Sequence, residues 1–219
     1  LFMLLVIVLA GEHSSRACTT DIFVLDGSSQ NDQGTLEPGF VQGAYQELEF
    51  NGTTESRFVV NDMNDMQSQV TEYMNSTECC IRRFVIVGHG SSGRIDIGSD
   101  RLTVGTSDAW AEAMSDLRDE FCSDLISSET GVYLYGCRTG CCDEGASLVE
   151  EVAEGAGVNT YAYSHGVQAL HNQVPENYQG ELGDLPHYMI PTIEEAPSEI
   201  VQSGTPDPLI GPNDCRPCQ

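Results

Sequence analysis

Lysine is absent from this 219-residue chain, and arginine supplies all nine basic side chains against 34 acidic ones, for a formal net charge of −25. A surface so short of cations repels phosphate backbones and anionic headgroups, which excludes nucleic acid and acidic membranes as partners. Long hydrophobic runs are missing too. The longest, Leu1 to Ala10, has ten residues, about half of what a membrane-crossing helix needs, so no stable membrane span is expected. No serine elbow or phosphate loop occurs, and Gly88-x-Gly90 is too short for a dinucleotide fingerprint. The acidic stretches lack the glycine-spaced ligand pattern of a calcium loop. No cofactor and no metal are therefore expected. Apolar residues still make up 40% of the chain, enough to bury a core, which excludes global disorder.

The apolar run fits the central region of a secretory signal, with Val8 and Ala10 at the small-residue positions and Gly11 as the mature start. Read instead as a hydrophobic strand, the same segment is the candidate for self-association. Nine cysteines accompany it, including the adjacent pairs Cys79-Cys80 and Cys141-Cys142 and the spaced pair Cys215-x-x-Cys218. Behind an export signal this density implies disulfides rather than zinc, and a secreted or cell-surface location. The odd count leaves at least one thiol without an intramolecular partner. Which one stays free decides what the protein can do.

Patterning divides the chain into an apolar segment at 1–10, an α/β domain over 18–185, and a Pro-rich acidic tail over 186–219 that ends in the Cys-x-x-Cys. Within the domain, 21–27, 57–60, 84–87, 132–135 and 160–163 read as strands, and Ile95 and Ile97 mark a short one. Apolar residues at helical spacing predict helices over 62–74, 108–126 and 144–156, the first capped by Asn61 or Asp62 and the last ended by Gly157. The stretch between the first two strands is not assigned. Strands alternating with helices predict a three-layer α/β sandwich, a mostly parallel central sheet with helices on both faces. Ligands of such sheets sit beyond the carboxyl ends of the strands. Gly88-His89-Gly90 and Gly136-Cys137 both fall at such ends.

A cysteine attacks a carbonyl carbon as its thiolate, and a nearby imidazole can generate that thiolate and later protonate the leaving amine. Tips of neighbouring parallel strands supply the closeness on rigid supports. Glycines beside them let a substrate backbone approach.

The runs Phe84-Val85-Ile86-Val87-Gly88-His89-Gly90 and Val132-Tyr133-Leu134-Tyr135-Gly136-Cys137 resemble the His and Cys motifs of the caspase–gingipain clan of cysteine peptidases. The nearest likeness is to a caspase-like domain at the N-termini of large bacterial surface proteins. The 48 residues between His89 and Cys137 match the spacing of about 50 in caspases. The resemblance implies Cys137 as nucleophile, His89 as general acid and base, and the N–H groups of Gly90 and Cys137 as the oxyanion hole. It implies a peptide or protein as substrate. In the clan the His precedes the Cys, so His165, which also follows a strand, is placed with Ser164 at the rim of the substrate pocket. One departure stands out: Cys141 and Cys142 lie unusually close to the nucleophile, and a disulfide from Cys137 to either would abolish activity or gate it by redox state.

Two functions remain open at this point. One is a secreted caspase-like endopeptidase using a Cys–His dyad, with self-processing as a further expectation that the resemblance carries. The other is a catalytically inactive, disulfide-rich secreted module serving surface attachment or assembly. The state of Cys137 separates them.

Overall fold

The computed structural model describes residues 18–30, 35–36, 40–50, 55–123, 130–163 and 200–202. Within them β1 (Cys18–Asp26), α1 (Phe40–Phe50), β2 (Arg57–Val60), α2 (Met63–Ser76) and β3 (Cys79–Val87) follow in chain order. A small antiparallel sheet of β4 (Gly90–Ser91), β5 (Arg94–Ile97) and β6 (Asp100–Thr103) comes next. The chain continues through α3 (Ser107–Met114), β7 (Gly131–Tyr135), α4 (Cys142–Ala156), β8 (Thr160–Tyr163) and β9 (Ile200–Gln202). The main sheet has the order β2-β1-β3-β7-β8-β9. Its first five strands are all parallel, and β9 joins β8 antiparallel.

Its central strands are apolar on both faces because helices cover both. Ile22, Val24, Phe84, Ile86 and Leu134 pack with Met66 and Val70 of α2, Trp110 of α3 and Leu148 and Val152 of α4. Phe23, Leu25, Val85 and Val87 pack on the other face with Val41 and Ala44 of α1. The chain steps from β1 to β2 in one direction and returns past β1 to β3 in the other. Right-handed crossovers then put α1 and α2 on opposite faces. The three-layer α/β sandwich follows from that geometry.

Local chemistry sets the helix ends. Asp62 caps α2 by accepting from the Asp65 N–H, and Met63, Met66, Val70 and Met74 form its buried stripe. Gly157, at φ 73°, ends α4 in the left-handed conformation. The Trp110 indole donates to the Val152 carbonyl at 3.1 Å. Gly155 makes room for it, since a Cβ there would lie 2.3 Å from Trp110 Cδ1.

Two expectations need correcting. The helix expected over 108–126 stops at Met114 and gives way to a short 3-10 turn at Arg118–Glu120. Beyond it Phe121 bridges Ile81 of β3, and the Cys122 N–H donates to the Ile81 carbonyl at 2.9 Å. Extended pairing with a strand cannot coexist with helical hydrogen bonding, although Trp110, Met114, Leu117 and Phe121 are all buried as the spacing implied. Second, Ile200–Gln202, in the segment read as a tail, is a strand on the sheet's edge. The apolar segment 1–10 and the rest of 186–219 lie outside the described residues.

Two disulfides tie the amino-terminal end of the sheet. Cys18 and Cys79 are register partners on β1 and β3 and are bonded to each other. Side chains alternate along a strand, so Cys80 faces the other way, and it bonds Cys122. The bonds span 61 and 42 residues, and each stabilises by about 4 kcal/mol on chain-entropy arithmetic.

Beside them Asp21 accepts from Arg82 Nε at 3.0 Å and Nη2 at 2.8 Å, and from Arg83 Nη2. Burial pushes its carboxyl upward, yet the hydrogen bonds and charges of the two arginines outweigh this and hold it below its ordinary range. The unfolded chain therefore binds the extra proton in acid, so this contribution is complete above the usual carboxylate range and fades as pH falls through it. Asp21→Asn should unfold more easily than the parent protein near neutrality. Denaturant titrations from about pH 6 to about pH 2 should show that difference shrinking.

Candidate functional site

Parallel pairing of β3 with β7 aligns Val87 with Tyr135. His89 and Cys137 each lie two residues beyond that pair, on strands spaced about 4.8 Å apart. The sequence-derived His and Cys tips thus share one end of the sheet. His89 is exposed and Cys137 half-buried.

The two tips are tied together through backbone. Gly88 N–H donates to the Tyr135 carbonyl at 3.3 Å, directly before the two candidate residues. A Cβ on Gly90 would sit 2.5 Å from Thr139 Oγ1 and 3.1 Å from both N and O of Cys137, so only glycine permits this approach. Gly136 is equally confined, its Cβ position lying 2.6 Å from the same hydroxyl. Thr139 is fully buried, and its Oγ1 has no hydrogen-bond partner among the described residues. Gly90 and Cys137, the expected oxyanion pair, are therefore backbone neighbours.

The turn between β4 and β5 straps the cysteine loop. Gly93 N–H donates to the Thr139 carbonyl at 3.1 Å, and Ser92 Oγ donates to the Cys141 carbonyl at 2.6 Å. The Asp96 N–H reaches back to the His89 carbonyl at 2.8 Å. On the other side of the loop, Gly140 N–H donates to Tyr163 at the end of β8 at 2.9 Å. Asp26, fully buried at the tip of β1, accepts from the N–H groups of Ser28 and Gly98 at 2.9 and 2.8 Å and from the Ser28 hydroxyl at 2.8 Å. It joins the β5–β6 turn to the same sheet edge. Neither Asp26 nor Ser92 stands out in the sequence as a site residue. The one available signal was a carboxylate closing an otherwise apolar strand.

The sulfur chemistry is decisive for what this edge can do. None of the described cysteines is a free thiol, and Cys137, Cys141 and Cys142 are each disulfide-bonded. Cys141 and Cys142 are not bonded to each other, their sulfurs lying 3.8 Å apart. Arg138 (φ 55°) and Cys142 (φ 62°) adopt the left-handed conformation that non-glycine residues avoid. Burial, reinforced by Tyr163, keeps the phenol of Tyr135 protonated far above neutral pH, so it offers no base. Asp143 and Glu144 are exposed in the first turn of α4, beside the strap. No group of three His, Cys, Asp or Glu able to hold a metal occurs among the described residues, nor does any helix long and apolar enough to cross a membrane. Ser164 and His165, expected at the pocket rim, lie outside the described residues.

The model of a family described as a domain of unknown function (DUF4347) matches residues 43–171, more than half of the chain. The chain belongs to this family. No curated protein matches the sequence. Both tips fall inside the DUF4347 match, as do the strap and the whole cysteine loop.

Because Gly90 has no room for a side chain, Gly90→Ala should part the two tips of this DUF4347 domain at a cost of about 1–3 kcal/mol. Denaturant unfolding measures the loss. Hydrogen exchange at Gly93, whose N–H is held by Thr139, should quicken in the variant.

Proposed function

We propose that this protein is a secreted or cell-surface cysteine endopeptidase of the caspase-like type, with Cys137 as nucleophile and His89 as general acid and base. The observation that carries this reading is the equal register of the two residues on adjacent parallel strands, with Gly90 packed on the Cys137 backbone. The resemblance of both motifs to the caspase–gingipain clan supports it, and so do the disulfides, which suit an oxidising compartment.

The chemistry requires Cys137 in its reduced state. Its thiolate adds to the scissile carbonyl carbon, and the N–H groups of Gly90 and Cys137 face the oxyanion. His89 gives its proton to the departing amine, leaving an acyl-enzyme thioester. His89 then takes a proton from water, which attacks the thioester and restores the thiol. The peptide substrate lies across the carboxyl end of the sheet.

A second reading is favoured by the oxidation of all three cysteines in the loop. On it, the sheet edge is a stapled surface serving attachment or assembly, without catalysis.

A peptidyl electrophile offered to mildly reduced protein separates the two. Parent protein should be labelled and Cys137→Ala should not, while His89→Ala should be labelled about a hundredfold more slowly or worse. Equal labelling of parent and Cys137→Ala rejects the peptidase and leaves the stapled surface.

A further inference from the structure

We infer that Thr139 is a positioning residue whose buried hydroxyl oxygen spaces Gly90 from the Gly136–Cys137 peptide, and so sets the geometry of the oxyanion hole. The inference rests on the peptidase reading and names a determinant of that same site. Thr139 is fully buried, and its Oγ1 has no hydrogen-bond partner among the described residues. Buried polar side chains in folded proteins are nearly always paired, and an unpaired one carries a cost that calls for a reason. Here the reason is steric.

The oxygen lies between the glycines of the two tips. Cβ atoms built on Gly90 and Gly136 would fall 2.5 and 2.6 Å from it, so the hydrogens that glycine carries in Cβ's place lie against one and the same atom. Gly136 opens the peptide unit that carries the Cys137 N–H, and the Cβ position of Gly90 is 3.1 Å from that nitrogen. Thr139 is held in place by its own backbone. Its N–H donates to the Gly136 carbonyl at 3.5 Å, and its carbonyl accepts from the Gly93 N–H at 3.1 Å. A single buried atom, clamped from both sides, thus keeps the two expected oxyanion donors apart.

The identity of that atom matters. An oxygen accepts a Cα–H group with the carbon about 3.3–3.6 Å away, whereas a methyl carbon in the same place needs about 3.5–4.0 Å. Valine, which matches threonine in shape, would therefore press the two backbones apart by roughly a few tenths of an ångström. Two N–H groups serve one oxyanion only when both lie about 2.7–3.1 Å from it, and a misplacement of about 1 Å can cost about a hundredfold in rate. Removing the unpaired hydroxyl offsets the crowding in the stability of the fold, but not in the spacing of the donors. Threonine is thus retained for reactivity at no gain in stability.

The test uses the full chain, mildly reduced, and two reagents. On a peptidyl acyloxymethyl ketone the Cys137 thiolate adds to the carbonyl, whose oxygen becomes an oxyanion. From iodoacetamide the same thiolate displaces iodide, and no oxyanion forms. Thr139→Val should react about tenfold more slowly with the ketone, yet within about twofold of the parent with iodoacetamide, at an unchanged denaturation midpoint. Thr139→Ser, which keeps the oxygen, should bring the ketone rate back to within about threefold of the parent. A Thr139→Val protein that matches the parent with the ketone overturns the spacer and leaves the peptidase standing. Equal slowing with both reagents, or a Thr139→Ser protein as slow as Thr139→Val, also overturns the spacer. Parent Cys137 that iodoacetamide alkylates and the ketone never labels removes the peptidase reading itself, and the spacer with it.

Discussion

The register between β3 and β7 is the constraint on which the candidate site depends. Parallel strands paired Val87 to Tyr135 must deliver whatever follows them to the same end of the sheet at the same height. One residue of slip would turn one of the two side chains to the opposite face. Slippage is prevented deep in the fold, where Phe84, Ile86, Val132 and Leu134 are buried against α2, α3 and α4, and Val85 and Val87 against the α1 layer. The apolar core thus sets the position of two polar residues that contribute nothing to it. Stabilising contacts and the candidate site occupy opposite ends of the same strands: the Asp21–arginine cluster and both sheet disulfides at one end, the His and Cys tips at the other.

Cysteine serves two purposes along this sheet, and local backbone distinguishes them. At the amino-terminal end, sulfurs join residues that strand pairing had already brought together. In the loop after β7, oxidised sulfurs accompany two residues in disfavoured conformations. The first arrangement reinforces the fold. The second lies at the place where the proposed reading needs a thiol. The acidic surface, without a single lysine, fits this division. It leaves solvent-exposed carboxylates such as Asp143 and Glu144 beside the site and offers nothing to polyanions.

Much of the fold was legible in the sequence because the signals were local. Strand β2, strand β8, the α2 stripe with its Asp62 cap, and the Gly157 end of α4 follow from periodicity and capping within a few residues. The features that escaped depend on distant partners. Spacing alone carried the third helix on past Met114, but Phe121 and Cys122 are claimed by β3, some forty residues earlier in the chain. Strand β9 draws its identity from pairing with β8 across a long connection, and nothing in Ile200–Gln202 announces it. At the site, the placement of His89 and Cys137 at strand tips could be read directly. The buried carboxylate of Asp26, the Ser92 strap and the pairing of Cys18 with Cys79 and Cys80 with Cys122 could not, since each is fixed by contacts that only the folded chain creates.

A crystal structure of the protein with Cys137 reduced measures the central relation directly, as the distance from its sulfur to the nearer imidazole nitrogen of His89. The register of the two tips predicts a separation of about 4 Å or less, within reach of a thiolate–imidazolium contact. A separation beyond about 6 Å, too long for a hydrogen bond even through one water, would contradict it.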